Sequence, residues 1–144
     1  PPTPSHGVRT QLGGIEYASP GHGYLLLCAN NGITFDLAAI RRGNPGYKLS
    51  RFCAMAGCPD SASAWVDLWV LVDGQQRFKQ RQINYYSGPF AVVVPIAEND
   101  RFLTLATTDG GQLILGSEAI YGDARLEMER EYQSGLNPKQ EEGR

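Results

Sequence analysis

At 144 residues, 42% of them hydrophobic and 19% charged, the chain has the size and composition of one globular domain with a sizeable core, which excludes a disordered protein. The formal net charge of −2 provides no general attraction for a phosphate backbone, so we expect no nucleic-acid binding. No apolar run approaches the roughly 18 to 20 residues of a transmembrane helix, so we expect no membrane-spanning segment.

Three parts of the chain differ in composition. Residues 1–14 contain three Pro and three Gly without any period, and we predict an extended N-terminal arm there. Residues 15–128 alternate short runs rich in Val, Ile, Phe, Trp and Tyr with Gly, Pro, Asn and Asp. This pattern is typical of short strands joined by turns and predicts one β-sandwich domain. Residues 129–144 are rich in Glu, Gln, Lys and Arg and predict a polar C-terminal tail.

About nine strands are predicted, so the fold class is all-β and the architecture an antiparallel β-sandwich. The strands lie near residues 15–18, 24–28, 32–37, 47–57, 64–72, 76–83, 89–96, 101–107 and 119–128. A short helical turn is predicted over residues 37–42, because Asp36 can cap its start and the run at 43–46 ends it. Asp73 and Gly74 predict a hairpin turn, because Gly and Asp suit the positive φ that such turns require.

Alternation along two strands predicts how their side chains divide between faces. In residues 51–57, Phe52, Ala54 and Ala56 lie on one face of the strand, and Arg51, Cys53 and Met55 lie on the other. One of these two faces belongs to the core. In residues 65–72 the inward set is Val66, Leu68, Val70 and Val72. The opposite face of that strand then carries Trp65, Asp67 and Trp69.

The two tryptophans are candidate ligand-binding residues. Trp65 and Trp69 are four residues apart on one strand, and therefore roughly 13 Å apart on one face. That spacing can stack two sugar rings, with Asp67 between them as an acceptor for sugar hydroxyls. The alternative is that both indoles are structural and pack under loops or against the N-terminal arm. Tyr85 and Tyr86, which lie in a predicted loop, are further candidates for contact with a ligand or partner.

Basic and acidic side chains lead to two further hypotheses. Arg77, Lys79 and Arg81 alternate along one strand and can attract sulfate, phosphate or a carboxylated glycan. An edge strand that charges protect against aggregation explains the same residues. Asp109 and Glu118 can give oxygen ligands to a calcium ion, although an Asp-Gly-Gly turn forms without a metal. No other cofactor is expected.

Cysteine and histidine positions give little evidence for catalysis. Cys53 and Cys58 are close enough in sequence to form a disulfide across a turn in an oxidising compartment, or can remain reduced as small buried hydrophobes. His6 and His22 lie in the Gly- and Pro-rich leader, away from any candidate nucleophile motif. We therefore predict that the chain is not an enzyme.

Several segments carry a resemblance to a known family. They are LGGIEY at 12–17, SPGHG at 19–23, ANNGITFDLAAIR at 29–41, RFCAMAG at 51–57, LWVLVDG at 68–74, DRFLTLATTDGG at 100–111 and GDARLE at 122–127. In their order and spacing they resemble the bacterial NPCBM-type domains. The resemblance implies a galactose-binding-like jelly-roll, an accessory role in extracellular proteins and glycan binding. It adds Asn30 and Asn31 as candidate ligand residues. The chain departs from the family pattern at Cys28 and at residues 117–121.

Two functions are compatible with these features. The first is a non-catalytic, extracytoplasmic module that binds carbohydrate. The alternative is a structural or docking subunit of a larger extracytoplasmic or membrane-associated protein assembly, because the segments that depart from the family pattern lie at loops or strand ends, where ligand contacts usually sit.

Overall fold

A computed structural model of the chain describes residues 7–60, 65–111 and 117–132. These residues form ten strands and one helix. In chain order the elements are β1 (Gln11–Leu12), β2 (Ile15–Glu16), β3 (Tyr24–Cys28), β4 (Asn31–Asp36), α1 (Leu37–Gly43), β5 (Tyr47–Gly57), β6 (Val66–Val72), β7 (Gln75–Ile83), β8 (Phe90–Pro95), β9 (Phe102–Thr108) and β10 (Glu118–Arg130).

Two four-stranded sheets form the sandwich. Sheet one has the order β3-β10-β5-β8 and sheet two the order β4-β9-β6-β7, while β1 and β2 pair only with each other. Every strand pair is antiparallel. The predicted all-β antiparallel sandwich is therefore confirmed, and β1 is the strand that the sequence prediction missed.

The core lies between the two sheets and follows the predicted alternation. Phe52, Ala54 and Ala56 enter it from β5, as does the inward set of β6, which is Val66, Leu68, Val70 and Val72. A second, smaller cluster joins Leu12 and Tyr17 to Ile120 of β10. Leu12 and Tyr17 therefore cover the outer side of sheet one. Packing onto the sandwich begins within residues 1–14, which were predicted to be an extended arm.

The helix and the tight hairpin have the predicted ends. The carboxylate of Asp36 accepts a hydrogen bond from the Ala39 amide at 3.1 Å and so caps α1. Asp73 and Gly74 have φ angles of 50° and 76° and join β6 to β7 as a two-residue turn. No helix in the described part of the chain is long and apolar enough to cross a membrane.

Four connections meet at one end of the sandwich. They join β3 to β4, β5 to β6, β7 to β8 and β9 to β10. The strand register brings the ends of sheet two together there, because Asn31 lies opposite Thr107, Asp67 opposite Thr108 and Val66 opposite Ile83. We call this end the rim. Helix α1 and the β6–β7 hairpin lie at the opposite end.

Of the two alternatives for Cys53 and Cys58, the structure has the reduced one, in which both thiols are free and buried. Five residues of extended strand separate two Cα atoms by roughly 16 Å, whereas a disulfide requires about 4.4 to 6.8 Å. An odd separation also places the side chains on opposite faces. Cys58 enters the core, where its thiol donates to the Ile83 carbonyl at 3.3 Å, whereas Cys53 lies beside Glu127.

We expect the three thiols to differ in reactivity in the folded protein. Burial raises the pKa of Cys58 to about 12 and also raises the pKa of Cys53, so neither forms much of the reactive thiolate at pH 8. Cys28 is exposed and should react with Ellman's reagent within minutes. In denaturant without reductant, the expected titre is three thiols. A titre of one would mean that the disulfide exists.

Candidate functional site

The rim brings most of the predicted ligand residues into one row. Across sheet two from β4 to β7, the residues just beyond the strands at this end are Asn30, Asp109, Trp65, and the pair Tyr85 and Tyr86. Neighbouring strands are about 4.8 Å apart, so the four strands of this sheet span about 14 Å. A row of that length can contact two or three linked sugar rings.

Polar groups occupy the β4 side of the rim. The Asn30 side-chain amide donates to Oδ2 of Asp109 at 3.3 Å, and the Gly111 amide donates to Oδ1 of the same carboxylate at 2.8 Å. Asn30 has a φ of 61°, a conformation that Asn tolerates better than most residues. Asn31 is exposed at the first position of β4. These amide and carboxylate groups can pair with sugar hydroxyls.

Aromatic side chains occupy the rest of the rim. Trp65 is 38% exposed and lies against the backbone at Gly110. Tyr86 is 78% exposed, and its ring stacks on Tyr85 with a centroid separation of 3.8 Å. A hydrogen bond with Tyr86 raises the pKa of Tyr85. Tyr85 also packs against the core, so Tyr86 is the ring of this pair that is accessible to a ligand.

Trp69 lies below the rim on the outer face of sheet two. Its indole N–H donates to the Thr108 hydroxyl at 2.9 Å, and that hydroxyl donates to Oδ2 of Asp67 at 3.2 Å. The indole is half-buried and is held by this chain of two hydrogen bonds. Thr108 is a positioning residue that the sequence analysis missed, because only the strand register shows which β9 side chain lies beside β6.

The carboxylate of Asp67 makes its contacts within the protein. Oδ1 accepts from the Gln82 amide at 2.6 Å, and Oδ2 lies 3.8 Å from Nε of Arg81. The residue is only 5% exposed. A register shift in the β6–β7 pair between Val66 and Leu68 brings these β7 groups onto the carboxylate. The carboxylate of Asp67 therefore stabilises the β6–β7 pair, and little of its surface is accessible to a ligand.

The sequence of the domain matches one family. Residues 25–127 match the profile of the NPCBM/NEW2 domain. The chain belongs to the NPCBM/NEW2 domain family. This match covers both sheets of the sandwich from β3 to β10. A comparison with curated proteins finds no match.

Solved structures share the fold of this NPCBM/NEW2 domain. One is a CBM51 from a Clostridium perfringens GH95 in complex with methyl-galactose, 20% identical with a TM-score of 0.58, covering 73% of this chain and 81% of that one. Another is the M60 catalytic domain of C. perfringens ZmpB with two CBM51 domains, 24% identical with a TM-score of 0.61. The match covers 72% of this chain and only 10% of that one.

A third similar structure contains the tandem CBM51 modules of a family 98 glycoside hydrolase from Streptococcus pneumoniae. It is 18% identical, has a TM-score of 0.59, and the match covers 81% of this chain and 34% of that one. The NPCBM/NEW2 domain therefore has the fold of carbohydrate-binding modules, and it spans a small part of the larger chains that it matches.

The two carboxylates proposed to bind calcium, Asp109 and Glu118, both lie close to the turn between β3 and β4. Asp109 contacts Asn30, and the Ser117 carbonyl next to Glu118 accepts from the Ala29 amide at 2.8 Å. Among the residues that the structure describes, no group of three or more His, Cys, Asp or Glu side chains is arranged to hold a metal. Residues 112–116 lie between the two carboxylates and outside the described ranges. Calcium binding there stays a prediction.

The NPCBM/NEW2 domain also has an apolar cleft that the sequence analysis did not identify. It lies between the sheets at the end opposite the rim and has a volume of about 360 Å³. Its walls include Phe35, Ile40, Phe52, Leu103 and Leu126. These residues come from five different elements, so no local sequence pattern marks the cleft. Its distance from the rim separates it from the predicted ligand residues.

Proposed function

We propose that this NPCBM/NEW2 domain is a non-catalytic module that binds carbohydrate at the rim and works outside the cytoplasm. The observation that carries the proposal is the row of exposed aromatic and polar side chains at the rim, with Trp65 at its centre. The fold is shared with a CBM51 in complex with methyl-galactose and another in complex with GlcNAc, which supports a sugar as the ligand.

The chemistry of the rim suits a pyranose ring. An indole presents a large apolar plane, and covering it with the apolar face of a sugar removes both surfaces from water. Amide and carboxylate groups of Asn30 and Asp109 lie at the adjacent strand end and can bind the equatorial hydroxyls. The rim is a shallow, exposed surface, so we expect weak binding in which one or two aromatic side chains contribute most of the affinity.

The absence of catalysis is part of the same proposal. Asp67 and Asp109, two carboxylates on or just beyond the strands beside Trp65, both accept hydrogen bonds from the protein. His22 is bound to Asp123 at 2.7 Å, near the far end of β3 from the rim. These contacts give each group a structural partner, which supports a binding role over an acid–base role.

Glycan binding is expected to depend on Trp65. Replacing Trp65 with alanine should lower the affinity for a bound glycan at least about tenfold, because most of the apolar contact area is lost. The measurement is isothermal titration calorimetry against neutral galactose- and GlcNAc-containing glycans. The matched control is Tyr47→Ala, which removes an aromatic ring of similar exposure, 44%, at the opposite end of the sandwich.

The control should bind within about twofold of the unmodified domain, because an exposed contact far from the ligand contributes little. Both variants should stay folded and have similar urea midpoints of unfolding, since the two residues are buried to a similar extent. The proposal is contradicted if no glycan binds at millimolar concentration, or if Trp65→Ala binds as well as the unmodified domain.

A second candidate function is attachment of the domain to other parts of a larger protein assembly. The observation that favours it is β8, an edge strand without charged residues, on which Val93 is 54% exposed. Such an edge can pair with a strand of a partner. The Trp65→Ala variant distinguishes the two functions. Attachment through β8 does not involve Trp65, so this variant should lose no attachment.

A further inference from the structure

We infer that the glycan bound by this domain carries anionic groups, which the outer face of sheet two recognises next to Trp69. The anionic group is a carboxylate or a sulfate ester, since both present two or more oxygens to a cation. This inference rests on the proposed glycan-binding function and extends the site from the rim along β6 and β7. Three residues define what we call the basic stripe: Arg77, Lys79 and Arg81.

The register of sheet two places Lys79, the middle member of the basic stripe, beside an indole. Trp69 lies opposite Lys79 on β7 and opposite Ala106 on β9. Directly paired residues share a face of the sheet, so the ammonium group and the indole project to the same side. Ala106 in turn lies opposite Gly32 on β4. On the outer face, small residues therefore lie on one side of Trp69 and a cation lies on the other.

Two members of the basic stripe have no counter-ion in the described chain. Arg81 lies 3.8 Å from the carboxylate of Asp67, whereas Arg77 and Lys79 form no ion pair with any described residue. Both are exposed and can bind an external anion without breaking a contact. The positive charge is local, because the whole chain has a formal net charge of −2.

Protection of a sheet edge does not account for the basic stripe by itself. β7 is an edge strand, as the sequence analysis proposed, and charges on an edge discourage pairing with other chains. The sandwich has three other edge strands, β3, β4 and β8, and none of them contains Lys or Arg. Basic residues are therefore concentrated on the one edge that borders Trp69, which an edge-protecting role does not require.

The test compares anionic glycans with a neutral one, and it includes one pair, chondroitin sulfate and its desulfated form, that differs only in sulfation. The probes are hyaluronan, which carries carboxylates, chondroitin sulfate, which carries carboxylates and sulfates, chemically desulfated chondroitin, and a neutral galactan. The double variant Arg77→Gln with Lys79→Gln should lose about fivefold to tenfold in affinity for the anionic probes in 50 mM salt. Its affinity for the neutral galactan should stay within about twofold.

Two controls separate the stripe from general charge. Arg42→Gln removes an exposed cation from α1, at the opposite end of the sandwich, and should leave all affinities unchanged. Raising the salt to 1 M shortens the Debye length to about 3 Å, so it should remove most of the difference between the double variant and the unmodified domain. Trp65→Ala should weaken the binding of neutral and anionic probes alike.

Each outcome has one meaning. Equal affinity for chondroitin sulfate and desulfated chondroitin supports a carboxylate, and a preference for chondroitin sulfate that desulfation removes supports a sulfate. Binding of the neutral galactan alone, or an unchanged affinity of the double variant for anionic probes, overturns this inference and leaves the glycan-binding function intact. A loss in Arg42→Gln as large as in the double variant also overturns it. No binding of any probe overturns both.

Discussion

Replacing Gly122 with valine is expected to destabilise the domain by about 3 kcal/mol, at the upper end of the cost of overpacking a core. Gly122 lies in β10 beneath the ring of Tyr17, and a Cβ atom at this position would overlap with that ring. The ring cannot move aside cheaply, because Tyr17 is buried in the small cluster that includes Leu12 and Ile120. The free energy of unfolding, measured with urea, checks this result.

Gly23 provides the matched control for Gly122. A Cβ atom at Gly23 meets no other atom within 4 Å, so Gly23→Ala should change the stability by less than about 0.5 kcal/mol. In the variant Tyr17→Leu the cost of Gly122→Val should fall by at least about 1 kcal/mol, because the smaller side chain vacates the space. A fully stable Gly122→Val variant would mean that residues 10–17 do not pack on sheet one.

Asp67→Ala is expected to lower the free energy of unfolding by about 3 kcal/mol. The variant removes the acceptor for the Gln82 amide at 2.6 Å and for the Thr108 hydroxyl at 3.2 Å. Both hydrogen bonds are partly buried and have a charged acceptor, and such a bond contributes about 1.5 to 3 kcal/mol. The indole of Trp69 is also released, since Thr108 holds it, so its fluorescence should change in the folded variant.

Two variants distinguish this role from direct ligand contact. Asp67→Asn keeps the shape and one acceptor and should cost less than Asp67→Ala. Thr108→Val removes both hydrogen bonds of the Thr108 hydroxyl, to Trp69 and to Asp67, but keeps the bond between Asp67 and the Gln82 amide. It should change the indole fluorescence with a loss of about 1 kcal/mol. If Asp67→Ala unfolds at the same urea concentration as the unmodified domain, the carboxylate is free, and the prediction from sequence that it contacts a sugar gains support.

The sequence predicts well those features that depend on neighbouring residues. The β-strands at 24–28 and 47–57 have the predicted bounds, because Gly, Pro and Asn mark their ends. The cap at Asp36 and the turn at Asp73 and Gly74 also agree with the prediction. In each case the responsible interaction lies within three or four residues, so local chemistry decides it.

Features that depend on partners distant in sequence were missed or mispredicted. Leu12 is an isolated apolar residue in a Gly-rich segment, and only its contact with Ile120 explains its burial. Sequence proximity left a disulfide between Cys53 and Cys58 open as one of two alternatives, whereas the straight strand between them holds the two thiols apart. Asp67 was placed on an open face by alternation, whereas an irregular register with β7 covers its carboxylate.

The candidate site was predictable in its members and not in its arrangement. Trp65 was identified from its spacing with Trp69, Tyr86 from its place in a predicted loop, and Asn30 from the resemblance to NPCBM-type domains. Their common location at the rim follows from the pairing of β4, β9, β6 and β7, which alternation alone does not fix. Thr108 has no distinguishing feature in the sequence, since Thr is frequent in strands.

The most direct test of glycan binding at the rim is an NMR titration of the two indole N–H groups. The chain contains two Trp residues, so an isotope-labelled sample gives two indole signals, which Trp65→Phe and Trp69→Phe assign. On addition of a glycan that binds in calorimetry, we expect the Trp65 signal to shift progressively and saturate. Saturable binding during which both indole signals stay in place would contradict the account, because the ligand would then contact some other surface.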